Sequence, residues 1–296
     1  FDVAGDQHVY FYGGAVKKSL IVAGKEGVVV KDNVSITGDG TKFVVGTELS
    51  TNPGVARAAT NITNGGFTVE SGKSVTLDGK NAKLSINVDQ DVTLENNAHI
   101  FVKGRDSLVK GDGIDTNVVV ASHNGNLVLN NSATLEVVSG KPVHVDVNAN
   151  KVKLDAGAQL NSGNDTDGAL RVHTDEIITP TADDGVTNIV GHSGLVITRK
   201  TQGDLTLNNT AAGTGLHITS DQLNGKLFGN QFAELVLGDD NSTAVMIDGL
   251  KANNRVVVKT AESGKAVIGA GGLKVGTDGS GNPYNVTLTT GSIENP

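Results

Sequence analysis

The sequence contains no cysteine and no tryptophan, and aromatic residues make up only 3% of its 296 residues. Without cysteine, no disulfide framework can hold the chain together. An ordinary core relies on aromatic rings, each of which buries about 150–250 Å². This interior must instead be a narrow, regular stack of valine, leucine and isoleucine. Because such residues favour strands over helices, the composition predicts an all-β protein.

Two further absences exclude classes of partner. The formal net charge of −8 is spread thinly, with lysine and arginine interspersed among the acids, so no basic stripe is available for nucleic acid. No apolar run approaches the 18 or more residues of a membrane-spanning helix, so we expect no membrane insertion of this segment. The chain starts at Phe1 rather than at methionine, and we therefore expect a processed chain or a fragment.

A short phrase recurs along the chain: an alternating apolar strand, two polar residues, and a small residue that leads into the next strand. Its copies are Val92-Thr93-Leu94-Glu95-Asn96-Asn97-Ala98, Leu127-Val128-Leu129-Asn130-Asn131-Ser132-Ala133 and Leu205-Thr206-Leu207-Asn208-Asn209-Thr210-Ala211. Leu129 follows Leu94 by 35 residues and Leu207 follows Leu129 by 78, which fits two and four turns of a coil of roughly 20 residues. Repeats of this kind predict a stacked solenoid rather than a closed globule.

Apolar–x–apolar triplets such as Phe43–Val45, Leu84–Ile86 and Val143–Val145 occur throughout the chain. Period-two alternation places the flanking residues inside and the middle residue outside. The spacing of the triplets also fits a β-sandwich, but the repeated corners, the lack of consistent Asn-Gly hairpins and the shortage of aromatics favour the solenoid. Asparagine suits its corners because it tolerates left-handed backbone.

We divide the chain into three parts. Residues 1–66 are N-terminal coils or a cap with an aromatic cluster and a loop, residues 67–215 are the regular β-helix, and residues 216–296 continue it with one short helical insertion. Ser220 is the N-cap candidate of that insertion. Residues 50–64 and 179–185 look like loops that leave the stack, and such loops on a rigid scaffold are where recognition residues lie.

The N-terminal part holds an unusual share of the aromatic residues. Tyr10, Phe11 and Tyr12 are consecutive and, with Phe1, are four of the ten aromatic residues of the chain. They belong either to an end cap or to a contact surface for a preceding repeat or a neighbouring subunit, since aromatics are enriched at interfaces. Tyr10, Phe11 and Tyr12 are therefore our interface candidates.

Closely spaced oxygen ligands, of the kind that calcium prefers, occur at Asp165 and Asp167 and again at Asp278. We consider these three aspartates calcium candidates and expect no other cofactor. Neither segment completes an EF-hand loop, and Asp-Gly pairs are also ordinary turn residues. A plain turn is therefore the alternative at both places.

Two groups of acids and a histidine have some likeness to the sites of β-helical polysaccharide hydrolases. They are Asp183-Asp184 with His192, and Asp112 and Asp115 with His123. Inverting hydrolysis needs two carboxylates about 6.5–9.5 Å apart around a water. Asp184 and His192 are only 8 residues apart, which is too close for stacking on adjacent coils of the predicted size. We expect solvated loop carboxylates and no enzyme activity.

The phrases Gly125–Asn131 and Gly203–Asn209, together with 216–223 and 232–238, resemble the filamentous-haemagglutinin-like passengers of large bacterial adhesins. Those proteins are exported by type V secretion, of the two-partner or the autotransporter type. The resemblance covers about residues 67–290. It implies a right-handed parallel β-helix outside the cell that acts as a stalk, an adhesin or a matrix component.

We therefore expect a segment of a secreted or cell-surface bacterial adhesin, a rigid β-helical stalk that presents binding loops for adhesion or for a biofilm matrix. Its partners would be host or matrix glycans or proteins, or neighbouring copies of itself. The alternatives are a structural subunit of an extracellular filament or surface layer and, after it, a β-helical polysaccharide-degrading enzyme. All of these place the chain outside the cell.

Overall fold

The structure is a computed structural model that describes residues 2–47, 64–105, 116–139, 143–163, 169–180, 185–192, 194–208, 215–219, 222 and 232–294. The predicted helical insertion at Ser220 lies outside these residues. Within them the chain forms strands β1 (Asp2–Gly5), β2 (His8–Gly24), β3 (Gly27–Val45), β4 (Gly66–Val69), β5 (Ser74–Lys80), β6 (Lys83–Val88), β7 (Val92–Leu94), β8 (His99–Arg105), β9 (Thr116–Ser122), β10 (Leu127–Leu129), β11 (Thr134–Ser139), β12 (Val143–Leu154), β13 (Gln159–Asn161), β14 (Ala169–Ile178), β15 (Ile189–Val190), β16 (Gly194–Thr198), β17 (Gly203–Asn208), β18 (Leu216–Ile218), β19 (Glu234–Leu237), β20 (Ser242–Asp248), β21 (Leu250–Ala252), β22 (Arg255–Lys259), β23 (Lys265–Ile268), β24 (Leu273–Val275), β25 (Val286–Thr289) and β26 (Ser292–Glu294).

The predicted all-β class is confirmed, but the predicted right-handed parallel β-helix with coils of roughly 20 residues is wrong. The strands β3, β4, β7, β10, β12, β9 and β6 close a parallel seven-stranded barrel, and further strands lie outside it. The ring closes because β3 and β12 are long and each pairs through two different segments.

The spacing of paired residues explains why the coil length was wrong. Phe67 pairs with Val92, 25 residues later, whereas Val92 pairs with Leu127, 35 residues later. The 35 residues between Leu94 and Leu129 are thus a single pairing step rather than two coils, since two further strands, β8 and β9, lie between them.

The predicted alternation of buried and outward residues is confirmed along β10. Leu127 and Leu129 are fully buried, and Val128 between them is half-buried on the outer side. Pairing places Leu129 between Leu94 and Leu154, so each inward residue packs on its equivalents in the neighbouring strands. Burying apolar area in this way contributes about 25 cal/mol per Å² to stability.

Turns follow the strand phrases at 95–98 and 130–133 as predicted, but asparagine occupies the left-handed position only in the first of these two corners. The third residue after the strand has a positive φ at Asn97 (57°), Ser132 (58°) and Gly157 (70°). Asn97 donates its backbone N–H to the carbonyl of Asn131, and Ser132 donates its own to that of Ala156. The corners therefore stack through backbone hydrogen bonds, and a residue that tolerates left-handed backbone is needed at this one position.

One row of residues that the sequence predicts to be exterior is buried instead. Val44, Ser85, Val119 and Asp146 follow one another on paired strands and alternate with core residues, yet each is only 1% exposed. The prediction that the middle residue of a triplet is exterior is wrong here. The row therefore carries a buried carboxyl group, Asp146, which lies 3.1 Å from Nη1 of Arg171.

Asp146 gives the protein a specific pH dependence. Burial raises the pKa of Asp146 from 3.8 to about 6, although Arg171 acts in the opposite direction. Between these values the native state holds a proton that the unfolded state has released, so stability falls as pH rises from about 4 to about 6. Across this pH range the free energy of unfolding of Asp146→Asn should rise relative to that of the wild type by at most about 3 kcal/mol. Urea denaturation followed by circular dichroism measures both.

The exposed Asp240 provides the matched control. Asp240→Asn should track the wild type at every pH, because its carboxyl group is hydrated in both states. If the stability difference between Asp146→Asn and the wild type does not change with pH, the assignment of the buried proton to Asp146 is wrong.

Candidate functional site

The outer face of β2 carries a row of three rings, His8, Tyr10 and Tyr12, which we name the aromatic row. Alternation along the strand turns Val9 and Phe11 to the other side, where both pack against the core. The centroids of His8 and Tyr10 are 5.8 Å apart in a stacked arrangement, and those of Tyr10 and Tyr12 are 6.5 Å apart. Tyr10 is 47% exposed and Tyr12 is 74% exposed.

The structure thus separates the three predicted interface residues. Tyr10 and Tyr12 present their rings to the outside, whereas Phe11 is a core-facing residue of the same strand. Lys31 lies over the ring of Tyr10, with Nζ 4.9 Å from the centroid, and is held there by Glu70 at 3.1 Å. This cation–π contact orients Tyr10 and leaves Tyr12 as the most accessible ring.

A groove of about 360 Å³ begins at His8, the first ring of the aromatic row, and crosses the starts of neighbouring strands; we name it the N-terminal groove. Its floor has no side chains at Gly27 of β3 and Gly66 of β4. A Cβ at Gly66 would lie 2.8 Å from the carbonyl oxygen of Asp91, and Gly27 has a φ of 145°. Both positions therefore require glycine. The groove is lined by His8, Glu26, Gly27, Val28, Val29, Gly66, Thr68, Asp89, Gln90, Asp91, Thr93, Asn124 and Gly125.

Polar side chains form the walls of the N-terminal groove. The Nδ2 of Asn124 donates to Oδ1 of Asp89 at 2.6 Å, and the backbone N–H of Asn126 donates to Oδ1 of Asp91 at 2.8 Å. Glu26 lies 3.2 Å from Nδ1 of His8, beneath the aromatic row. These contacts fix the carboxylates in place, so the groove offers oriented hydrogen-bond acceptors beside the ring of His8.

Of the three predicted calcium residues, only Asp278 is among the described residues. Asp165 and Asp167 lie outside the described residues. Oδ1 of Asp278 accepts backbone hydrogen bonds from Asn282 and Ser280, both at 2.9 Å, which lower the pKa of Asp278. This is the geometry of a turn, the alternative reading of this segment. Across the part of the chain that the structure describes, no three His, Asp or Glu side chains converge as a metal site would require.

The residues with a likeness to hydrolase sites are placed only in part. Asp112, Asp115, Asp183 and Asp184 lie outside the described residues. His192 is exposed, and Nε2 of His123 is 2.8 Å from Oδ1 of Asn87. Of the two predicted recognition loops, only Asn64, Thr179, Pro180 and Gly185 are described.

The sequence identified two members of the aromatic row, Tyr10 and Tyr12, but not His8, and it did not reveal the N-terminal groove. The signal was the residue before each strand phrase: Gly27 and Gly66 stand where Asp91 and Asn126 stand in the later copies. Gly27 and Gly66 are neighbours on paired strands, and polar residues take the same position on the next two strands. Because neither glycine has a side chain, a depression runs across the strands at this position. Only the pairing of β3, β4 and β7 shows that these positions are neighbours.

No protein-family model matches the chain, and no curated protein or solved structure matches it. In the described residues, no helix combines the length and the apolar character needed to cross a membrane. The aromatic row and the N-terminal groove are therefore the features from which we infer a function.

Proposed function

We propose that the chain is a rigid segment of a secreted or cell-surface bacterial adhesin that binds a glycan of a host surface or biofilm matrix. The observation that carries the proposal is the exposed aromatic row, whose first ring, His8, lines a polar groove. The C–H bonds of a sugar ring present a weakly positive, apolar face that packs on the negative face of an aromatic ring. Sugar hydroxyl groups are donors that suit the carboxylates of Asp89 and Asp91.

The scaffold supports this function through its rigidity. The groove crosses the strands from β2 to β10, which are paired side by side in parallel. Because these strands form one continuous hydrogen-bonded sheet, the rings and the carboxylates keep their spacing before a ligand arrives. Such preorganisation lowers the ordering cost of binding.

The proposal is tested by removing the two exposed rings. A glycan array would first identify a ligand for the whole chain, and calorimetry would then compare the wild type with the Tyr10→Ala, Tyr12→Ala double variant. We expect the dissociation constant to rise at least about tenfold, since each ring contact contributes about 0.5–1.5 kcal/mol beyond the buried area.

Tyr284, the third and last tyrosine of the sequence, provides the control. It lies far from β2 along the chain, and Tyr284→Ala should bind the same glycan as tightly as the wild type. Failure of the whole chain to bind any glycan, or equal binding by the double variant, would contradict the proposed function.

A filament subunit is the second candidate function. The side chains of Val286 in β25 and Ile293 in β26, the last two described strands, are 40% and 59% exposed, and exposed apolar surface favours contact with another protein. Fibres that lengthen with protein concentration and persist after the tyrosine substitutions would support this function instead of glycan binding.

A further inference from the structure

We propose that the ligand of the N-terminal groove is an amino-sugar polymer with free, positively charged amino groups. The inference rests on the proposed function and adds to it the charge of the glycan. It is carried by the side chains that line the groove, by the hydrogen bonds that leave part of each carboxylate available, and by the spacing of the carboxylates along the groove.

The lining of the groove has charge of one sign. It contains three carboxylates, those of Glu26, Asp89 and Asp91, and none of the described residues that line it is a lysine or an arginine. These charges share one cleft, and a cleft lined by one sign of charge focuses the field. An anionic glycan would be repelled, and a neutral one would not use the charge.

The carboxylates have acceptor capacity left for a ligand. Asp89 and Asp91 each receive their hydrogen bonds on Oδ1, from Asn124 and from Asn126. Within the described part of the chain, Oδ2 of neither residue accepts a hydrogen bond. Lys200 is close enough to Asp89 for an electrostatic effect, but its ammonium donates to two backbone carbonyls and to Asn150. It therefore does not close the groove.

The spacing of the charges fits an oligomer. Glu26 precedes β3, and Asp91 precedes β7, with only the glycine position of β4 between them. Two strand spacings, about 10 Å, separate the backbone positions that carry the two carboxylates. A chain of sugars lying over Gly66 can bring successive amino groups to both acids while a ring packs against the aromatic row. A single sugar cannot reach both.

Calorimetry with three hexasaccharides of one linkage tests the charge directly. The probes are β-1,4-linked glucosamine, its N-acetylated counterpart and the glucose counterpart, measured below the pKa of the sugar amine. The wild type should bind the glucosamine hexamer at least about tenfold more tightly than the other two. Added salt should reduce this preference, since the groove is open to solvent.

Two variants locate the effect in the groove. In the Asp89→Asn, Asp91→Asn double variant, which keeps the Oδ1 acceptors, the preference for the amine should fall towards one. Asp240→Asn, an exposed acid elsewhere, should retain it. Thr93→Lys places a cation in the groove and should abolish binding of the glucosamine hexamer. Thr76→Lys changes the same residue in an identical Val-Thr-Leu triplet outside the lining and should not.

The outcomes distinguish this inference from the proposed function. Equal affinity for the three hexasaccharides overturns the inference while glycan binding stands, and binding of none of them, with a glycan array that is also negative, overturns both. A lysine hexapeptide that binds more tightly than the glucosamine hexamer, and loses that affinity in the double variant, would show that the groove takes a basic peptide and would overturn the inference.

Discussion

Replacing Phe67 by alanine is expected to lower the free energy of unfolding by about 3–5 kcal/mol. The ring is fully buried between Val28 and Val92 and meets the ring of Phe43 edge-on, with centroids 5.8 Å apart and an interplanar angle of 62°. The surrounding core is built of aliphatic side chains on hydrogen-bonded strands, which cannot move in to fill the cavity. Urea denaturation followed by circular dichroism measures the loss in this tryptophan-free chain.

Phe101 supplies a control with the same change of side chain. It lies on the outer side of β8, between the buried Ile100 and Val102, and is half-exposed. Phe101→Ala should therefore lower the free energy of unfolding much less than Phe67→Ala does. A double-mutant cycle with Phe43→Ala should give a coupling of about 0.5–1.5 kcal/mol. Equal costs for Phe67→Ala and Phe101→Ala would show that Phe67 does not fill a closed core.

The local structure could be predicted from the sequence because it depends on neighbours in the chain. Alternation in Leu127-Val128-Leu129 determines which side chains are inside, and this holds whatever the strand pairs with. The corner after this strand is equally local, since only a few residue types accept the positive φ found at Ser132. The exposed Tyr10 and Tyr12 follow from the same rule of alternation along β2.

The architecture could not be predicted in this way, because pairing depends on how many short strands lie between partners. The step from Phe67 to Val92 contains 25 residues, and the next step, to Leu127, contains 35. A constant period does not describe them. The closed barrel further depends on two long strands, β3 and β12, each of which pairs with two other barrel strands through different segments.

The candidate site likewise has one part that could be predicted from the sequence and one part that could not. The aromatic row belongs to one strand and could be recognised in the sequence. The N-terminal groove is lined by five neighbouring segments of the chain. Its floor is open because Gly27 and Gly66 have no side chains. Its carboxylates lie tens of residues apart in sequence, at Glu26 and Asp91. Only the pairing of the strands shows that these acids line one groove and that their negative charges act together there.

Lys200→Met is expected to lower the free energy of unfolding by roughly 2–4 kcal/mol, because it leaves one buried and two partly buried acceptors without their lysine donor. The ammonium of Lys200 donates to the carbonyl of Ser122 at 2.8 Å, to that of His123, and to Oδ1 of Asn150 at 2.7 Å. It thus ties the end of β16 to β12 and β9, two and three strands away in the sheet. Methionine fills similar space but donates nothing. Urea denaturation measures the effect.

The exposed Lys259 at the end of β22 is the matched control, and Lys259→Met should change the stability by no more than about 0.5 kcal/mol. A second measurement separates loss of the ammonium from a general loosening of the fold. The pKa of His123 is lowered first by burial and then by Lys200, so Lys200→Met should raise that pKa in an NMR titration of the imidazole. If the variant is destabilised but the pKa of His123 stays where it was, the ammonium does not act on this corner and the effect must come from packing alone.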